Sequence, residues 1–187
     1  RSVSAVRKYN YFQANVVSNS VAAENNFIVL SRGSKSGCRK GMGVIDPLNG
    51  VVGIITDVSN DYSVVMSLLH RDSRISGKLL RTGETGTLFW DGKQANRIVL
   101  DNISKSVKIQ KGDTVITSGF STAFPRGMMV GRVEAVYAEK SSNQFKVIVH
   151  TQANFFNLDH VYVIDNLQQE AIDQLLDKNR KSDRLEE

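Results

Sequence analysis

A single cysteine, Cys38, excludes an intrachain disulfide and any cysteine-based metal cluster. Its rarity says little about compartment, because a chain of 187 residues can build a sufficient core without disulfides. There are three histidines, no H-x-x-x-H pair and no clustered set of carboxylates, so nothing in the sequence marks a metal site or a cofactor. P-loop and G-x-G-x-x-G patterns are also missing. No apolar run approaches the roughly 20 residues of a membrane-spanning helix. Helical periodicity is scarce before Asn166, which removes bundles and α/β folds from consideration. The chain starts at Arg1 with no initiating Met and no signal peptide. It is expected to be an excised fragment, so a missing anchor is weak evidence against a membrane-tethered parent.

Apolar residues make up 41%, enough for a real core in one domain or two small ones. Net charge is +5 and uneven: Leu167–Glu187 has six acids and four bases, leaving +7 on the body before it. A basic body attracts nucleic acid, anionic lipid head groups or acidic partners. Here the bases are scattered (Arg71, Arg74, Lys78, Arg81, Arg97, Lys108 among them) and no nucleic-acid-binding motif accompanies them, so nucleic acid is not expected.

Short β-branched and aromatic runs separated by Gly, Asn, Asp and Ser predict strands throughout. They fall at Phe12–Val17, Phe27–Leu30, Val51–Val58, Ser63–Leu69, Ser73–Leu80, Gly86–Trp90, Arg97–Asp101, Thr114–Thr117, Met129–Tyr137, Gln144–Thr151 and Val161–Ile164. The run from Phe145 to Thr151 comes closest to the alternation of a half-buried antiparallel strand. After Asp165 the pattern changes. Leu167, Ala171, Ile172, Leu175 and Leu176 form one helical stripe, with Asn166 as N-cap and Lys178, Arg180 and Lys181 near the negative end. Ser182 to Glu187 is expected to fray.

Two stretches echo each other. Lys40-Gly41 precedes Val44-Ile45 and then Gly50-Val-Val-Gly53. Lys111-Gly112 precedes Val115-Ile116 and then Gly127-Met-Met-Val-Gly131. Glycine suits tight turns and close backbone approach at barrel corners, though two unrelated β-hairpins would share such glycines too.

The fuller motifs are Ser31-Arg-Gly33-Ser-Lys-Ser-Gly37 through Lys40-Gly41-Met42 to Gly50-Val-Val-Gly53, and Lys111-Gly112-Asp113-Thr-Val-Ile-Thr-Ser118-Gly119 through Phe124-Pro125-Arg-Gly127 to Val130-Gly131-Arg-Val133. The chain resembles the MreC family in these segments, across roughly Ser18 to Asn166. Cys38 stands where that family usually has a small aliphatic residue, and Met128-Met129 replaces a common Ile-Pro. The resemblance implies a fold of two chymotrypsin-like six-stranded β-barrels. It also implies a non-enzymatic scaffold on the periplasmic side of the inner membrane, held there by an anchor absent from this fragment. The implied partners are the elongation-specific penicillin-binding transpeptidase, MreB, MreD, RodA and further copies in a homo-dimer or filament. Exposed edge strands would support self-association by strand addition.

Two alternatives come from other classes. Gly119-Phe-Ser-Thr-Ala123 nearly matches a nucleophile elbow, but Ala123 replaces the last Gly, and Pro125 blocks the helix the motif needs. A trypsin-like order can be drawn through His70, Asp101 or Asp113, and Ser118 or Ser121, which keeps an inactive or cryptic serine hydrolase in view. The basic body admits a glycan- or anionic-lipid-binding module. For partner contact the candidates are Tyr62, Phe89, Trp90, Phe120 and Tyr137. Phe89 and Trp90 point to opposite faces of one strand, so one is buried and the other more exposed. Phe124, restrained by Pro125, is assigned to the core.

The expected layout is mainly β. Residues 9–45 and 97–166 make a discontinuous first barrel, 46–96 make a second, inserted barrel, and 167–187 form a helix and flexible tail. A sequential split near residue 100 is the competing layout. Val16 and Val147 in different domains would contradict the inserted arrangement as drawn.

Overall fold

The computed structural model of the chain describes residues 8–183. In order the strands are β1 Tyr9–Asn19, β2 Asn25–Leu30, β3 Gly43–Ile45, β4 Val51–Val58, β5 Ser63–His70, β6 Ile75–Leu79 and β7 Thr85–Phe89. They continue as β8 Arg97–Ser104, β9 Thr114–Thr117, β10 Met129–Ala138, β11 Gln144–Thr151 and β12 His160–Asn166, and α1 spans Gln169–Asp183. All pairings between these strands are antiparallel. β3, only three residues long, is absent from the expected strand list. β11 has the predicted alternation, with Val147, Val149 and Thr151 buried.

Two closed barrels result, β1-β12-β3-β4-β5-β2 and β10-β11-β8-β7-β6-β9. The domain boundaries drawn from the sequence therefore need correction. β4 and β5 complete the first barrel, which spans residues 9–70 and 160–166, and the inserted barrel spans 75–151. Val16 lies on β1 and Val147 on β11, in different barrels. The physical reason is local pairing: β4 hydrogen-bonds its hairpin neighbours β3 and β5, and β11 pairs with β10 and β8.

The two rings have the same plan. Replacing β1, β2, β3, β4 and β5 by β7, β8, β9, β10 and β11, and β12 by β6, converts every pairing of the first barrel into one of the second. Read along the chain, β1–β6 and β7–β12 are two six-strand units that have exchanged their last strands. The sequence echo falls on equivalent hairpins, β3–β4 and β9–β10. A Cβ at Gly53 would strike the Met66 carbonyl oxygen on β5, and one at Gly131 the His150 carbonyl oxygen on β11.

Closure gives every strand two neighbours, so the free edges expected for strand addition do not exist among the described strands. A buried apolar cluster runs through both barrels and includes Leu30, Val65, Leu88, Leu100, Phe124 and Phe155.

α1 is stitched to the end of β12. The Leu167 N–H donates to the Lys8 carbonyl (3.0 Å), and Asn166 accepts from the Gln168 N–H (3.0 Å) while remaining part of the strand. The helix buries none of its residues, and Ile172, Leu175 and Leu176 are exposed. Ser182 and Asp183 are helical, and the last four residues of the expected frayed tail lie outside the described residues. No described helix is long and apolar enough to cross a membrane.

Candidate partner-binding surface

The inserted barrel presents its outer surface along β8, β11 and β10. Alternation on β11 turns Lys146, Ile148 and His150 outward while Val147 and Val149 enter the core. A hollow of about 490 Å³ on this face is lined by Arg97, Glu134, Tyr137, Lys146 and Ile148, among others. A second, of about 250 Å³, has Phe89, Val99 and Phe145 in its wall and shares Glu139 and Lys146 with the first. The polar rim is fixed by charge pairing. Arg97 Nε meets Glu134 Oε2 at 2.6 Å, and Lys146 Nζ lies 4.0 Å from Asp91 Oδ2. Arg74 stands 5.3 Å over the Phe89 ring, a cation–π contact that orients the ring. An exposed tyrosine, a half-buried phenylalanine and paired charges at the rim are what an interface core and its margin require.

The five aromatic candidates separate. Phe89 and Tyr137, the latter 57% exposed, line the two adjoining hollows, Tyr137 the larger and Phe89 the smaller. Tyr62 is exposed on the other barrel at the start of β5, and Phe120 is exposed on the loop after β9. Trp90 is a correction: it is buried, and its indole N–H donates to the Gln94 carbonyl at 2.8 Å, so it holds a corner and offers no surface. Sequence reasoning passed over Arg97, Phe145, Lys146 and Ile148. The signal for Lys146 and Ile148 was the β11 alternation itself, which marks its outward positions.

The glycine–aspartate segment is fixed within the inserted barrel, and the Phe-Pro segment reaches across to the first. Asp113 accepts from Arg81 Nε (3.0 Å) and Nη2 (2.8 Å) and from the Gln110 N–H (2.9 Å). The Arg81 guanidinium and the Gln110 N–H hold its carboxyl below the ordinary carboxylate range, against an opposing contribution from burial. Thr117 Oγ1 donates to the Pro125 carbonyl (2.7 Å) and accepts from the Met128 N–H (2.9 Å), pinning the loop that follows β9. That loop reaches the other barrel. Asn166 Nδ2 on β12 donates to the Thr122 carbonyl (3.2 Å), and the buried Phe124 ring lies so close to Gly43 on β3 that a Cβ there would sit 2.7 Å from Cε1. Nearby, the Asn49 carbonyl accepts from the Met129 N–H (3.2 Å), and Gly50 bridges to Met129.

The serines, the histidine and Asp113 of the drawn hydrolase triad have partners other than one another. Ser118 Oγ shares a 2.7 Å hydrogen bond with Ser76 Oγ, and Ser121 Oγ accepts from the Ala123 N–H. His70 Nδ1 accepts from the Asp72 N–H (3.0 Å), and its ring packs edge-on to Phe27. Asp113 is taken by Arg81, and Asp101 lines the hollow beside Phe89. No nucleophile, base and orienting acid converge among the described residues. Burial pushes the Cys38 thiol pKa up, consistent with a packing residue.

Two interlocked, closed, six-stranded antiparallel barrels define the class: a double β-barrel module. Residues 16–165 match the family described as "Rod shape-determining protein MreC, barrel core". The chain belongs to the MreC family. It is 26% identical over 163 residues to the cell shape-determining protein MreC of Listeria monocytogenes, covering 86% of this chain and 55% of that protein. It is 35% identical over 121 residues to the Haemophilus influenzae protein of the same name, covering 65% and 34%. The chain thus spans about half the length, or less, of these curated relatives.

Among solved structures, the Listeria MreC matches with a TM-score of 0.76 at 24% identity, over 88% of this chain and 80% of that one. A structure described as the major periplasmic domain from the cell shape-determining filament MreC matches with a TM-score of 0.71 at 21% identity, over 87% and 99%. A chain of a complex between penicillin-binding protein PBP2 and MreC from Helicobacter pylori matches with a TM-score of 0.66 at 20% identity, over 86% and 99%.

Proposed function

We propose that this chain is the scaffold domain of a cell-wall elongation complex on the periplasmic side of the inner membrane. It recruits the elongation-specific penicillin-binding transpeptidase through the outer face of the inserted barrel. The observation that carries this reading is the pair of adjoining hollows where Phe89 and Tyr137 lie inside a rim of paired charges. The related fold seen in complex with PBP2 supports the choice of partner. In the whole protein the domain is tethered by an anchor outside this sequence and acts with MreB, MreD and RodA. Self-association into dimers or filaments uses side-chain surfaces, since closed barrels present no edge for strand addition.

The test is capture of the purified domain on the immobilised periplasmic part of the transpeptidase across a range of salt. Retention that weakens only gradually with salt is expected for an aromatic-centred interface. Absence of capture at every salt concentration would leave self-assembly as the remaining role.

A further inference from the structure

A third hollow, of about 330 Å³, lies where β10 and β11 of the inserted barrel meet the chain returning to β12. Its chemistry differs from that of the neighbouring face. Asn96, Arg132, His150, Gln152 and Asn154 contribute to its wall, and no carboxylate does. In the 490 Å³ hollow, by contrast, Asp91, Glu134 and Glu139 balance Lys93, Arg97 and Lys146. Arg132 donates through Nη1 to Thr114 Oγ1 (3.1 Å) and makes no ion pair among the described residues, which leaves the rest of its planar fork for a ligand. The amide wall is built in advance. Asn96 holds a left-handed backbone (φ 62° at Asn49, 58° here), accepts from the Phe155 N–H at 2.9 Å, and donates through Nδ2 to Asn154 Oδ1 at 3.2 Å. Asn154 Oδ1 also accepts from the Phe156 N–H (3.1 Å), which leaves its own Nδ2 available, and the Phe156 side chain is 70% exposed.

Each group has a complementary partner chemistry. A guanidinium with no acid of its own takes a carboxylate through paired N–H donors. Amide and imidazole groups recognise hydroxyls and acetamido groups, which both donate and accept. The volume lies within the range of small-ligand sites, about 300–1,000 Å³, while the polar wall disfavours an apolar ligand. A single free guanidinium is too little positive charge for a nucleic-acid backbone. From this we infer that the hollow is a binding site for a carboxylate-bearing amino sugar, with Arg132 on the carboxylate and Asn96, Gln152 and Asn154 on the ring substituents. The inference stands apart from transpeptidase recruitment, which uses the adjoining face.

Three probes separate the sources of affinity in amide chemical-shift titrations. They are N-acetylmuramic acid, N-acetylglucosamine (the same ring without the lactyl carboxylate) and lactate (the carboxylate without the ring). N-acetylmuramic acid is expected to shift the amides of Asn96, Gln152 and Asn154 and to bind at least about tenfold more tightly than either fragment. Arg132→Gln, whose melting temperature reports an intact fold, should reduce that binding to the level of N-acetylglucosamine. Equal binding of all three probes, lactate alone matching the full sugar, shifts mapping elsewhere, or an Arg132→Gln variant that binds like wild type would each overturn the inference. Transpeptidase capture by the same variant should be unchanged, so failure of one proposal is distinguishable from failure of the other.

Discussion

Phe124 carries the signature segment into the other barrel. Its ring leaves the inserted barrel and fills space beside Gly43 on β3. Phe124→Ala should lower stability by about 3–5 kcal/mol, the usual cost of removing a buried phenylalanine. Chemical denaturation measures the loss, and a change below about 1 kcal/mol would contradict the packing described. Asp113 makes a pH-dependent contribution. Its carboxyl is held below the ordinary range, so the stabilisation is fully present above about pH 4 and is lost as pH falls through the lower folded value. Asp113→Asn should therefore lower the melting temperature near neutral pH and make progressively less difference in acid. A difference that stays constant down to about pH 3 would refute this assignment. At this scale the sequence was partly legible. Gly112-Asp113 read as a turn and Phe124 as core, because turn chemistry and X-Pro restriction are local. The partner of Phe124 was illegible, since Gly43 becomes its neighbour only after both barrels close.

At the scale of elements, period-two patterns located most strands but not their edges. β3 escaped as a strand because three residues give no alternation to read. The stripe on α1 was visible in the sequence, yet a stripe predicts only a face, and the helix buries none of it in this chain. The polar side of the helix overlooks Arg39 and Lys40 through Glu170, Asp173 and Asp177. Exposed helical charge of this kind adds little stability. Removing residues 168–187 should therefore shift the melting temperature by less than about 2 °C. Calorimetry of the truncated protein checks this, and a fall beyond about 5 °C would mean that α1 packs against something in solution.

At the scale of the whole molecule, barrel membership was the least legible feature. Strand β6 serves the second barrel and β12 the first, so each six-strand unit donates its closing strand to its neighbour. No local pattern encodes an exchange between segments so far apart in the chain, and the layout inferred from the sequence misplaced β4, β5 and β8–β11 accordingly. Interlocking through both exchanged strands and the Phe124 loop predicts that the two barrels unfold together. A single calorimetric transition, with calorimetric and van't Hoff enthalpies equal, is the expected observation. Two resolved transitions would show that the barrels are energetically independent.

The central claim is that the outer face of the inserted barrel recruits the transpeptidase. The direct measurement is a calorimetric titration of the transpeptidase's periplasmic part with wild-type domain, a Phe89→Ala/Tyr137→Ala double variant, and a Tyr62→Ala control on the other barrel. Wild type and Tyr62→Ala should both bind, with the double variant weaker by at least about tenfold. Binding by the double variant equal to that of wild type would contradict it.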